Sequence, residues 1–139
     1  MKTAKKLTLV LILLCSSFLC WAQQNPPAKD TVYSITDVDV QPEYPGGDIA
    51  RREFIERKLN GQVATENGAP KGNYTVVVIC IIDVDGKIIA SVPETSHGYG
   101  MEKEVLKIIG KLPKQYKPAI KNGVPVKTKI RFPVTFSVL

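Results

Sequence analysis

Before Leu139 the chain alternates with a period of two. Val126, Thr128, Ile130, Phe132, Val134, Phe136 and Val138 fall on one side, and Lys127, Lys129, Arg131, Pro133, Thr135 and Ser137 on the other. Successive side chains of a strand point to opposite faces, so this pattern predicts a strand with one face on a core and one in water. Pro133 narrows the choice further, because a proline has no N–H for a ladder and is accommodated in sheets on an edge strand or at a bulge. A residue's N–H and C=O point to the same edge, so Arg131, Pro133 and Thr135 share one edge, and that edge is expected to be the free one. The row of Lys and Arg beside it has two readings. Charges on an edge discourage accidental pairing, and the same exposed ladder can dock another chain.

At the other end, Lys2, Lys5 and Lys6 precede an uncharged apolar stretch from Leu7 to Leu19, followed by Cys20-Trp21-Ala22 and a polar run from Gln23. A basic start, an apolar segment short for a membrane span and a small residue at the end predict a signal peptide over residues 1–22, cleaved after Ala22; the alternative is an uncleaved anchor. In both cases the lysines stay cytoplasmic and the remainder is exported, with membrane contact only where the N-terminal segment is retained. Removing those 22 residues leaves 117 of 139, one small domain. Three of the 19 Lys+Arg leave with the signal, so 16 face 13 Asp+Glu, a net +3 that gives no case for nucleic-acid binding. Cys80 is the single cysteine left, so the domain is held by packing without an intramolecular disulfide.

Residues 23–39, with Asn25-Pro26-Pro27, are expected to form a flexible leader. Tyr44-Pro45-Gly46-Gly47 signals a turn, and Asp48 stands where an N-cap belongs, before an amphipathic helix from Ile49 to Leu59 that Asn60-Gly61 stops. After loop signals at Asn67-Gly68 and Pro70-Lys71-Gly72, Tyr74 to Ile82 is a β-branched run, and its valines and isoleucines imply cover on both faces. Asp83-Val84-Asp85-Gly86 reads as a tight hairpin into Lys87–Val92. Met101, Val105, Ile108 and Leu112 recur at helical spacing between Gly100 and Pro113, and Lys114–Pro125 reads as a basic connector. The order helix-strand-strand-helix-strand predicts an α+β two-layer domain, two helices packed on a three-stranded antiparallel sheet.

The chemistry of an enzyme is hard to find in this chain. His97 is the sole histidine and sits in a predicted loop, whereas Cys80 lies within a strand, where burial makes a thiol inert; an enzyme built on this pair is the least supported reading of the chain. A calcium loop starting at Asp83 requires glycine at its sixth position, and Ile88 stands there. One His and one buried Cys build no metal site, and no phosphate-binding glycine loop is present, so no cofactor is expected.

Pro42-Glu43-Tyr44-Pro45-Gly46-Gly47 before a helix, Glu66-Asn67-Gly68, Asp85-Gly86-Lys87-Ile88, Leu112-Pro113-Lys114, Lys117-Pro118, Asn122 to Val126, and Phe132-Pro133-Val134-Thr135-Phe136 together resemble the C-terminal domain of TonB-type energy transducers. The variant common in Bacteroidetes-like bacteria is the most similar. The resemblance spans residues 40–139, without the Pro-rich spacer that family transducers carry, and implies the same helix-on-sheet fold. It also implies a non-enzymatic module that takes an extended peptide of an outer-membrane transporter, or another envelope protein, as an added strand beside its last strand in support of transmembrane transport. The implied partner-binding residues are Lys127, Lys129, Arg131, Thr135 and Ser137, with Tyr44 and Pro45 beside the first helix. A docked peptide would lose one hydrogen bond opposite Pro133, which predicts a short or interrupted augmentation. The competing reading is a structural or regulatory envelope domain that pairs its edge with itself as a homodimer.

Overall fold

A computed structural model describes residues 30–112 and 115–139. The expected signal peptide and residues 23–29 of the expected leader lie outside the described residues.

The long alternating segment forms β5, Val124–Val138, and its alternation is realised: Val126, Thr128, Ile130, Phe132, Phe136 and Val138 are buried, while Lys129, Arg131, Pro133, Thr135 and Ser137 are exposed. β5 pairs antiparallel with β2, Gly72–Ile82, in an unbroken register from Gly72↔Val138 to Ile82↔Thr128. β2 pairs in turn with β3, Ile88–Pro93, as the second arm of the expected hairpin. Two short strands complete the sheet. β1, Val32–Ser34, lies parallel to β5, and β4, Ala119–Lys121, closes a hairpin onto Val124–Val126. The strand order is β1-β5-β2-β3.

The antiparallel three-strand core agrees with the alternation, and the additions amend it. Residues 32–34 belong to the sheet rather than to a flexible leader, because β5 offers ladder groups beside them and Lys127 pairs with Asp30 at 3.6 Å. The basic connector contains β4, held on its other side by reciprocal bonds between Val40 and Ile120.

Three helices pack on one face: α1, Gly47–Lys58, the single turn α2, Val63–Glu66, and α3, Met101–Ile109. Asp48 is not the cap of α1. Gly46 takes that position with φ +88°, where a Cβ would meet that of Ala50 at 2.8 Å, and Asp48 sits in the first turn, paired with Arg51 at 3.0 Å. α3 buries Met101, Val105, Ile108 and Ile109 against β2 and β3. A single core joins Met101, Val105 and Ile109 to Val76, Val78, Cys80, Ile82, Phe132 and Phe136. Among the described residues no helix lies over the other face of the sheet. Val77, Ile79 and Ile81 there are half-buried, so the cover inferred from the valine and isoleucine run is complete on one face only.

The turn at Asp83–Gly86 closes through Gly86 N–H to Asp83 C=O at 2.9 Å and Asp83 N–H to Lys87 C=O at 2.8 Å. Gly86 has φ +80°, and a Cβ there would lie 1.7 Å from the Tyr116 carbonyl oxygen. The glycine is required by a backbone pressed against it.

Candidate protein-binding edge

The direction in which β5 aims its backbone follows from its neighbours. Val77 donates its N–H to Thr95 Oγ1 at 3.0 Å and accepts from Glu94 N–H at 2.8 Å, so its polar groups point toward the β3 side. Its register partner is Pro133. The two form a pair without ladder bonds between them, which turns the nitrogen and carbonyl of Pro133 to the outer edge, together with the backbone groups of Lys127, Lys129, Arg131, Thr135 and Ser137. The missing N–H therefore costs the β2–β5 ladder nothing.

That outer edge is divided. Beside Lys127–Lys129 it is occupied by β1, whose Tyr33 stands opposite Thr128. From Arg131 to Ser137 no strand lies against it among the described residues. On the helix side of this open length runs a groove of about 330 Å³, walled by Arg51, Arg52, Ile55 and Glu56 of α1 and by Leu59 just after it, with Phe132 and Val134 of β5 on the other side. The Arg51 guanidinium sits over the Phe132 ring at 4.8 Å, tying the helix to the strand.

The side chains named from sequence fall into two groups. Lys127, Lys129, Arg131, Thr135 and Ser137 lie together on the face without helices. There Arg131 is ion-paired with Glu94, Nε to Oε2 at 2.9 Å, and the Thr135 hydroxyl meets that of Thr75 at 3.0 Å. Tyr44 is 3% exposed and stacks edge-on to Tyr116 with ring centroids 5.3 Å apart, so its side chain belongs to the core instead of a contact surface. Pro45 beside it is half-buried. The α1 wall of the groove carried no legible signal, since helical spacing marks an apolar face without saying which strand it borders.

Cys80 and His97 are not brought together. Cys80 is fully buried, burial pushes its thiol pKa up, and its Sγ lies 3.4 Å from Ser91 Oγ. His97 is exposed with Nε2 2.9 Å from the Thr75 carbonyl, five strand residues from Cys80 and thus about 15 Å away.

The fold and the open edge define a class: a small α+β domain, helices on one side of a sheet whose last long strand presents an incomplete ladder. Residues 73–138, from β2 through β5, match the family model described as Gram-negative bacterial TonB protein C-terminal. The family is one of envelope protein-interaction domains that engage outer-membrane transporters. Comparison with curated proteins and with solved structures gives no match. Among the described residues no helix is long and apolar enough to cross a membrane.

Proposed function

We propose that this protein is a periplasmic module that captures an extended peptide of an outer-membrane transporter as an added strand on the outer edge of β5, with residues 1–22 serving as its export signal. The observation that carries the reading is the outward-facing backbone from Arg131 to Ser137, unpaired among the described residues, beside the α1 groove. Main-chain bonds to such an edge supply affinity and alternate side chains supply selectivity. On this reading the Arg131 side chain flanks the docked strand on the face without helices, Thr135 and Ser137 give it ladder bonds, and Lys127 and Lys129 stand beyond its end beside β1.

Capture of peptides from the segments preceding transporter plug domains, against scrambled controls, tests the proposal. Thr135→Pro removes one outward N–H without touching the β2 ladder and is expected to weaken binding by about tenfold. Equal capture of scrambled peptides, or unchanged affinity in that variant, would refute it. Mass spectrometry of the mature N-terminus checks the cleavage after Ala22.

A further inference from the structure

β1 stands in the same column beside β5 that a docked strand would enter. It covers Lys127–Lys129, and the open length begins two residues later. Three residues of ladder would be easily displaced if they stood alone, but β1 is fastened at both ends. Before it, Asp30 pairs with Lys127 at 3.6 Å. After it, Asp37 N–H bonds back to the Ser34 carbonyl at 3.0 Å, turning the chain away from the sheet. Lys121 Nζ holds the Asp37 carbonyl and lies 5.2 Å from the Tyr33 ring centroid, and Asp39 Oδ2 accepts from Asn122 N–H at 2.6 Å. These contacts tie β1 to the β4–β5 hairpin, a part of the sheet a ligand at Arg131–Ser137 does not touch.

We infer that β1 is a fixed stop that sets the register and the length of the strand docked on β5. This rests on the edge-docking reading above and goes beyond it. The docked segment is confined to the seven residues from Arg131 to Ser137, a length on the order of 20 Å. It meets N–H donors at Arg131, Thr135 and Ser137 and a bare carbonyl at Pro133. Its residues opposite Phe132 and Val134 face the groove beside Ile55 and Leu59, which selects apolar side chains two positions apart. A longer peptide must leave the sheet plane where Ser34 ends β1, so its additional residues gain no ladder bonds.

The test uses alternating valine–threonine peptides of about five, seven and eleven residues, with affinity by fluorescence anisotropy and amide exchange by NMR on the whole mature chain. Affinity is expected to rise from the shortest to the middle peptide and then level off. New protection should appear at Arg131, Thr135 and Ser137, with Tyr33 and Lys129 unchanged. In Tyr33→Pro, which breaks the β1 ladder, the longest peptide should gain about tenfold over the middle one and newly protect Lys129. Lys121→Met, which loosens the tether without entering the ladder, should give the same trend if the proline variant does not fold, as judged by β2–β5 amide protection. An eleven-residue peptide that binds the unaltered protein best, with loss of protection at Tyr33, would overturn the stop and leave edge docking standing. Absence of binding by every peptide would overturn both.

Discussion

Tyr116 shows what one buried hydroxyl does to this core. Its backbone N–H reaches the Gly86 carbonyl at 2.8 Å and its ring packs on Tyr44, yet its Oη is buried and finds no hydrogen-bond partner among the described residues. Burial pushes the phenol up to about 12, with nearby Arg51 opposing the shift more weakly. Between pH 10 and about 12 the unfolded phenol ionises and the folded one does not, so stability is complete below this window and declines as pH rises through it. Tyr116→Phe removes an unsatisfied group, and urea denaturation at neutral pH should show no loss, or a gain of about 1 kcal/mol. Between pH 10 and 12 the variant should lose less stability than the parent, by up to about 2 kcal/mol. On the opposite side of the same contact, Gly86→Ala drives a Cβ into the Tyr116 carbonyl at a positive φ. The same denaturation should show a loss of about 3 kcal/mol or more.

At the scale of elements, what was legible in the sequence is what carries its own period. Valine and isoleucine around Asp83–Gly86 marked the β2–β3 hairpin, Met101, Val105 and Ile108 marked α3, and the alternation through Val138 marked β5. β1, α2 and β4 are three or four residues long, too short for a period, and exist because a neighbour completes them: β5 for the two strands, and Asn60 and Glu66 around α2, joined at 3.0 Å. The Tyr-Pro-Gly-Gly turn was readable, but a turn does not say that the Tyr44 ring goes inward. Of the candidate site, the strand edge and its proline were readable, whereas β1 across Lys127–Lys129 and the α1 wall depend on tertiary placement. Glu104 is another such tie, 7% exposed on α3 with its carboxylate 2.9 Å from the Asn60 N–H and 2.5 Å from Lys107 Nζ. Burial alone would raise its pKa, but Lys107 and the Asn60 N–H outweigh it and hold the carboxyl below its ordinary range. A depressed carboxyl stabilises the fold above its unfolded pKa and loses that contribution as pH falls through the folded value. Stability should therefore drop below about pH 4.5, and Glu104→Gln should flatten that limb while costing about 1–3 kcal/mol at pH 7, measured by thermal melts across pH.

For the molecule as a whole, an open edge is a hazard as well as a site, since it can pair with any strand, including its own copy. The two ends of this sheet are guarded differently. β3 carries an irregularity at its pairing with Ile81 and Ile82 and ends on Pro93, which interrupts its ladder. β5 keeps a regular ladder and relies on β1 at one end, the basic row on the face without helices, and one proline in the middle. If Pro133 separates selective docking from indiscriminate pairing, restoring its N–H should remove the separation. Pro133→Val keeps an apolar residue on the same face, leaves the β2 register intact and completes a run of outward groups from Arg131 to Ser137. Sedimentation velocity should then show the variant shifted toward dimer relative to the parent at equal concentration, by about tenfold in association constant for each of the two added bonds, one on each copy. High salt should strengthen the shift by screening the repulsion between the two basic rows. An unchanged mass distribution would mean that charge, and not the proline, keeps this edge single.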